Sequence, residues 1–399
     1  MLGQEITAKI LFLTAVFVAI LLTFACDNRS FRIIPLENIT LDQTEITLNV
    51  NETKQLNVIY TPENATDKKV VWATSDSTIA VVSDEGEVMG ISEGDVIVSV
   101  TTIDTLHNSE CKVFVFPDDS FLIRNKDQWD EAISFIKEDH DNITYRIIIL
   151  DDVSLPGTES NTFGDRTDIE VTISGNYTIS LDIDTTGHLI KIDNAQKLIL
   201  DNIALKGHLN NNASLVNIYG LNTTLSIQGY ASISENRTIN LGGGIYSDRG
   251  TVNISDFAKI HNNSAIRGGG IYTISGMLSM KNFASIRNNK ANGAGGIWAL
   301  NSSVVLSDYV SISQNMAIGT TMFEGCGGGV YYSGNHFMMS DNVSIFENIA
   351  SGDGGGIYNS VFSRDRLIIS GNSSIYGNTA MKGGGICGGA TIKEHGSIY

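Results

Sequence analysis

At 399 residues the chain is long enough for two or three domains, and its 42% hydrophobic content excludes a disordered polypeptide. A formal net charge of −18 argues against a nucleic-acid partner, which needs a basic face, and leaves cationic partners or divalent cations as the electrostatic options. Forty glycines stand against four prolines, the last of them Pro156. A long proline-free stretch suits stacked strands whose backbone donors are all committed to neighbours. The four cysteines form no disulfide framework. Cys26 lies in the N-terminal segment and Cys111 stands alone in its region. Cys326 and Cys387 sit two sequence repeats apart, roughly 10 Å in a stack of coils and too far for a bridge. Cys-x-x-Cys metal spacing is absent, so Cys111, Cys326 and Cys387 read as free thiols.

Residues 1–26 read as an export signal. Lys9 supplies a weak positive end, and residues 10–24 form an apolar core that is short for a membrane span of about 20 residues. Thr23-Phe24-Ala25-Cys26 resembles a bacterial lipoprotein lipobox, with Thr23 and Phe24 departing from the usual box. The resemblance implies lipidation at Cys26 and attachment to a membrane; an uncleaved anchor and plain secretion are the alternatives. Residues 27–36 follow as a tether.

Residues 37–116 change to alternating strands. Ile39-Thr40-Leu41, Ile46-Thr47-Leu48, Leu56-Asn57-Val58 and Val96-Ile97-Val98 each place apolar residues on one face, with polar turns at sandwich spacing. Val70-Val71-Trp72, Thr74-Ser75-Asp76, Ile79-Ala80-Val81-Val82, Gly86-Glu87-Val88-Met89-Gly90 and Glu93-Gly94-Asp95 follow in an order that resembles the bacterial Ig-like domain of group 2. That resemblance implies a β-sandwich serving as a rigid spacer or adhesive module, with Trp72 in the core. Gly90-Ile91-Ser92-Glu93-Gly94 matches the Gly-x-Ser-x-Gly nucleophile pattern. The pattern needs a strand-to-helix elbow in an α/β sheet, so a sandwich turn is the better reading.

Phe116-Pro117-Asp118-Asp119-Ser120 marks a boundary, and residues 120–399 read as a second, all-β domain. Residues 127–137 form an amphipathic helix with Trp129, Ala132, Ile133 and Ile136 on one face, capped by Asn125 or Asp127. It is placed to plug the open first coil of a strand stack that begins at residues 146–150.

The stack is announced by a repeat. Gly242-Gly243-Gly244-Ile245-Tyr246 returns at 268–272, 327–331, 354–358 and 383–387, with a looser copy at 294–298. The branched residue falls at Ile245, Ile271, Ile297, Val330, Ile357 and Ile386, in steps of 26, 26, 33, 27 and 29. In phase runs Ile-x-x-Asn: Ile233/Asn236, Ile260/Asn263, Ile286/Asn289, Ile312/Asn315, Ile345/Asn348 and Ile375/Asn378. A period in the twenties with runs of three to five alternating residues predicts a parallel β-helix of three short strands per coil, about 4.8 Å apart. The branched residues then form one interior column. Val252, Leu278, Val304, Phe337 and Leu367 form a second, and Ile254, Met280, Leu306, Met339 and Ile369 a third. The glycines allow positive φ and close backbone approach. The asparagines suit a left-handed bend and hydrogen-bond along the stack.

This region resembles the right-handed parallel β-helix superfamily that includes pectate-lyase-like folds. Its Gly-Gly-Gly-Ile and x-x-Asn pairs are also similar to repeats of polymorphic outer-membrane proteins, which are adhesins carried by an autotransporter barrel. The sequence ends at Ser397-Ile398-Tyr399 inside a further Ile-x-x-Asn motif. That reads as a truncated β-helix, with homotypic stacking through an open end as the alternative.

Chemistry is harder to find. Lyases and hydrolases of this fold need clustered carboxylates, and lyases an Arg or Lys base. The nearest column is Asp256, Asn282, Asp308 and Asp341. Asp308 and Asp341, one coil apart, are the candidate ligands of a weak calcium site, against a solvated turn column. The seven histidines show neither metal nor triad spacing, so no catalytic constellation is found. The residues after the interior branched positions, Tyr246, Tyr272, Trp298, Tyr331 and Tyr358, form an aromatic column. Facing outward, it is a candidate surface for a glycan or a host or matrix protein; the plainer reading is a ladder that stabilises the coils. An insertion at 320–325 supplies a further loop for specificity. The expectation is a lipid-anchored envelope protein at the outer membrane or cell surface, acting in adhesion or ligand binding through the β-helix flank. The alternatives are a polysaccharide lyase or hydrolase and a structural or antigenic surface protein.

Overall fold

The computed structural model describes residues 33–139, 141–320, 324–334, 336–360 and 366–399. The expected export signal, the lipidation residue Cys26, most of the tether and the heart of the insertion, residues 321–323, lie outside the described residues. The chain divides into two compact units, Met1–Asp118 and Asp119–Tyr399.

In the first unit, strands Glu45–Asn49, Asn108–Phe116, Gly94–Thr102 and Val70–Thr74 form a four-stranded sheet in that order. Its first pair is parallel and the others antiparallel. A three-stranded sheet of Thr53–Gln55, Glu87–Gly90 and Ala80–Val82, and the pair Asn38–Leu41 with Val58–Thr61, complete the sandwich. Alternation buries Ile39, Leu41, Ile46, Leu48, Val96, Val98, Val113 and Val115 on one face of their strands. Trp72 is half-buried at the rim rather than inside. It lies over Gly86, whose hypothetical Cβ would come within 2.6 Å of the indole. Gly90 ends one strand and Gly94 begins the next, so the Gly-x-Ser-x-Gly segment is a sandwich turn.

The second unit is a parallel β-solenoid. Its first sheet runs over 11 strands, from Ser120–Ile123 and Thr144–Ile149 to Thr391–Ile392. The second has 10, from Val153–Leu155 to Ser397–Ile398, and the third has eight, from Ile190–Ile192 to Ile386–Cys387. Two features differ from the sequence expectation. The stack opens at Ser120–Ile123, ahead of the helix, because this short strand pairs in parallel with Thr144–Ile149 beyond it. The middle coils also carry a fourth strand: Ser264–Arg267, Lys290–Gly293, Met316–Ala317 and Ile349–Ala350 form their own sheet.

The three interior columns are in register coil by coil, for example Ile245 with Ile271 and Val252 with Leu278. They are fully buried down to Ile357, Leu367 and Ile369, with Ile386 half-buried at the last rung. Each such side chain contributes about 1.5–3 kcal/mol by leaving water. Helix α1, Lys126–Glu138, begins at Asn125, whose side chain accepts the Gln128 N–H at 3.0 Å. Its buried face, Trp129, Ala132, Ile133 and Ile136, joins the solenoid core at the first coil.

The Ile-x-x-Asn asparagines form a buried ladder. Asn289 Oδ1 accepts the Asn263 backbone N–H at 2.9 Å and the Asn263 amide at 3.2 Å. Asn289 Nδ2 in turn donates to the Ile260 carbonyl and to Asn315 Oδ1, both at 3.0 Å. The left-handed position expected for these asparagines belongs to the residue before each: Glu235, Asn262, Asn288, Gln314, Glu347 and Gly377, at φ between +54 and +63. The ladder residue contributes its amide and the preceding one takes the bend, where Gln314 also donates to Glu347 at 3.1 Å. The glycine triplets mate with this ladder. Gly268 needs φ +62, and a Cβ there would strike the Ile271 carbonyl. The third glycine, Gly270, sits where a Cβ would come within 3.1 Å of the Asn289 amide. This explains why the two motifs stay in phase.

Candidate binding surfaces of the solenoid

The predicted aromatic column is real and stacked. Tyr246–Tyr272, Tyr272–Trp298, Trp298–Tyr331 and Tyr331–Tyr358 have ring centroids 5.6, 6.4, 3.8 and 5.3 Å apart. The rings point away from the main core, as alternation requires, yet Tyr272, Trp298, Tyr331 and Tyr358 are only 5–9% exposed. The expected open flank is covered. Leu241, Ala294 and Cys326, from the turns before the glycine triplets, pack on the rings with Ile274 and Leu300. The Arg267 guanidinium lies 5.0 Å from the Trp298 centroid, and a Cβ on Gly293 would come within 2.6 Å of the indole. The fourth strand, which the sequence reading lacked, therefore turns a surface stripe into a second small core. Cys387 continues the column beside Tyr358, and burial raises the thiols of both Cys326 and Cys387.

Only Tyr246 remains half-exposed, and it lines a cleft of about 330 Å³ with Glu159, His188, Ser214, Asn217 and Asn240. His188 is buried, and loss of solvent lowers its pKa, so it is neutral near pH 7. Its Nδ1 lies 2.7 Å from the Ser214 carbonyl, which assigns the proton to that nitrogen. Nε2 is then the acceptor for the Asn217 amide at 3.3 Å, with the Glu159 carboxylate 3.9 Å away. Asn240 donates to the Asn212 carbonyl at 2.7 Å, which fixes its side chain. Burial raises the Tyr246 phenol, keeping it a neutral donor and acceptor. One carboxylate, a neutral imidazole, amides and a phenol with an accessible ring suit a small polyhydroxylated ligand. His188, Glu159 and Asn217 carry no sequence signature, because they come from irregular early coils.

A second aromatic ladder lies elsewhere on the solenoid. Tyr230, Phe257, Phe283 and Tyr309 stack with centroids 5.0, 5.1 and 5.1 Å apart at the turn after the first sheet. They are 42–69% exposed. Each follows the left-handed turn residue of its coil, Gly229, Asp256, Asn282 or Asp308, which was a usable signal. Because the rings lie face to face, the ladder shows solvent its edges and two end faces. Its stacking therefore serves the coils first.

Asp308 and Asp341 occupy this same turn column at φ +59 and +62. Asp308 Oδ2 accepts the Asn282 N–H at 2.9 Å, and Asp341 Oδ2 accepts the Asp308 N–H at 3.2 Å and the Ser340 hydroxyl at 2.8 Å. The carboxylates thus satisfy backbone donors of the preceding coil. Among the described residues no group of three or more His, Cys, Asp or Glu is placed to hold a metal ion.

Comparison with known proteins agrees with this architecture. Residues 35–113 match the bacterial Ig-like domain (group 2), and residues 342–360 match the Chlamydia polymorphic membrane protein repeat. An uncharacterised Clostridium acetobutylicum protein is 31% identical over 116 residues, 27% of this chain and 12% of that protein. A 3-O-alpha-D-galactosyl-alpha-L-arabinofuranosidase of Bifidobacterium longum subsp. longum is 36% identical over 72 residues, 18% of this chain and 6% of that enzyme. A second C. acetobutylicum protein is 36% identical over 69 residues, 17% of each chain. The chain thus spans less than a fifth of the length of these relatives. Both matched families point to a surface or envelope protein: a bacterial group 2 Ig-like domain followed by a parallel β-solenoid with a polymorphic-membrane-protein-type repeat.

Proposed function

We propose that this protein is displayed at the cell surface as a lipoprotein anchored through Cys26, and that its solenoid binds a glycan in the His188–Tyr246 cleft. The Ig-like domain serves as the spacer. The observation that carries the reading is the convergence of fixed, neutral hydrogen-bonding groups, His188, Asn217, Asn240 and Tyr246, on one cleft beside an accessible ring. Binding is favoured over hydrolysis on a specific ground. Glycoside hydrolysis commonly employs two carboxylates flanking the bond, and among the described residues Glu159 is the one carboxylate lining this cleft.

A glycan array followed by titration of the best ligand tests the site. Tyr246→Ala and Asn217→Ala are expected to weaken binding at least tenfold, while Phe283→Ala leaves it unchanged. Equal affinities across the three variants would sink the cleft assignment. Release of reducing ends from the bound glycan would convert the reading to an enzyme. Protease shaving of intact cells, with a periplasmic control protein, tests display: full protection overturns the surface role.

A further inference from the structure

In a chain of net charge −18, two cations stand without partners on the outer face of the fourth sheet. Arg237 bridges Ser264 in parallel, and Ser264 is in register with Lys290, so the three form one column. Arg237 and Lys290 are therefore two coils apart, about 10 Å. Among the described residues neither side chain has an ion pair or hydrogen bond.

Beside this column runs an apolar one. Leu209, Ile239, Ile266 and Ile318 are 38–72% exposed and border the same groove of about 540 Å³. Its floor is low, because the intervening inward positions are the buried Ala265 and Ala291. The isolated cations select an anion. The exposed aliphatic side chains select a ligand with aliphatic groups of its own, and the absence of an aromatic side chain among the lining residues disfavours a sugar ring. Spacing narrows the choice. An extended polyproline-II chain rises about 3.1 Å per residue with three residues per turn, so residues i and i+3 share a face about 9 Å apart. That step matches the two-coil separation of the cations.

We propose that this groove docks an acidic, extended segment of a partner protein, with carboxylates three residues apart on Arg237 and Lys290 and apolar side chains on the isoleucine column. The inference is independent of the glycan cleft, whose assignment stands or falls separately.

The probe is a fluorescein-labelled peptide, (Glu-Pro-Leu)4, titrated with the full chain by fluorescence anisotropy. (Lys-Pro-Leu)4 and heparin serve as comparison ligands. Saturable binding of the acidic peptide is expected, weakened at least tenfold by Arg237→Glu with Lys290→Glu and retained in Tyr246→Ala. The milder pair Arg237→Gln with Lys290→Gln, checked by circular dichroism, guards against misfolding and is expected to weaken binding severalfold. No binding at millimolar protein, equal binding of the lysine peptide, or unchanged affinity in both double variants overturns the proposal. Heparin binding that needs both cations, without peptide binding, overturns it in favour of an anionic glycan.

Discussion

Tyr246, Tyr272, Trp298, Tyr331 and Tyr358 stack outside the third sheet, and Tyr230, Phe257, Phe283 and Tyr309 stack at the turn after the first. Both ladders follow the coil repeat, and both point away from the main core. In the first, four of the five rings are covered to 9% exposure or less; in the second every ring is at least 42% exposed. Stacking is therefore a property of the repeat, whereas burial depends on whether another element lies over the ladder. The fourth strand and the turns before the glycine triplets cover one ladder, and among the described residues no such element packs over the other. The practical consequence is that periodic aromatics mark coil cohesion before they mark a binding face.

The comparison can be broken by mutation. Trp298→Ala, which empties a covered site between two rings and under Arg267, is expected to cost about 3–5 kcal/mol in urea unfolding. Asn289→Ala removes four hydrogen bonds from the buried amide ladder and leaves the Asn263 backbone N–H without its acceptor, costing about 1–3 kcal/mol. Its neighbour Asn288, which takes the bend, is expected to accept glycine within about 1 kcal/mol. Phe283→Ala, in the open ladder, is expected to cost about 1 kcal/mol, the stacking contribution without full burial. If Phe283→Ala proves as damaging as Trp298→Ala, cover is not what separates the ladders.

Burial depresses His188 and, together with Arg287, His261, so the unfolded chain takes up protons at both before the folded one does. Their contribution is full above the ordinary histidine pKa of 6.5 and is lost as pH falls through the depressed folded values. His188→Gln is expected to flatten the fall of Tm between pH 7 and pH 5; an unchanged slope would show that His188 is not the group responsible. The Cys111 thiol, buried and pushed up to about 11, is expected to resist iodoacetamide at pH 8 in the native protein and to react in urea. Mass spectrometry of that peptide reads both states.

Much of the architecture was legible because the repeat is one-dimensional. Ile245, Val252 and Ile254 each predicted an entire column, since a coil can stack only on copies of itself. The sandwich was legible from alternation, and α1 from the spacing of Trp129, Ala132, Ile133 and Ile136. The first strand, Ser120–Ile123, was not, because its strand partner, Thr144–Ile149, lies beyond the helix. The cleft was not, because Glu159, His188 and Asn217 lie on coils without the motif and meet only through cross-coil contacts.

By itself, the sequence determined the local code: period-two burial and the pairing of each glycine triplet with a buried asparagine. These follow from interactions within one coil and its immediate copy. The tertiary structure alone decided which outward faces meet water. The alanines of the fourth strand could have belonged to any short loop, and only their folding back brings Arg267 and Gly293 onto Trp298. Exposure is a property of what lies across space, and no residue type encodes its own cover.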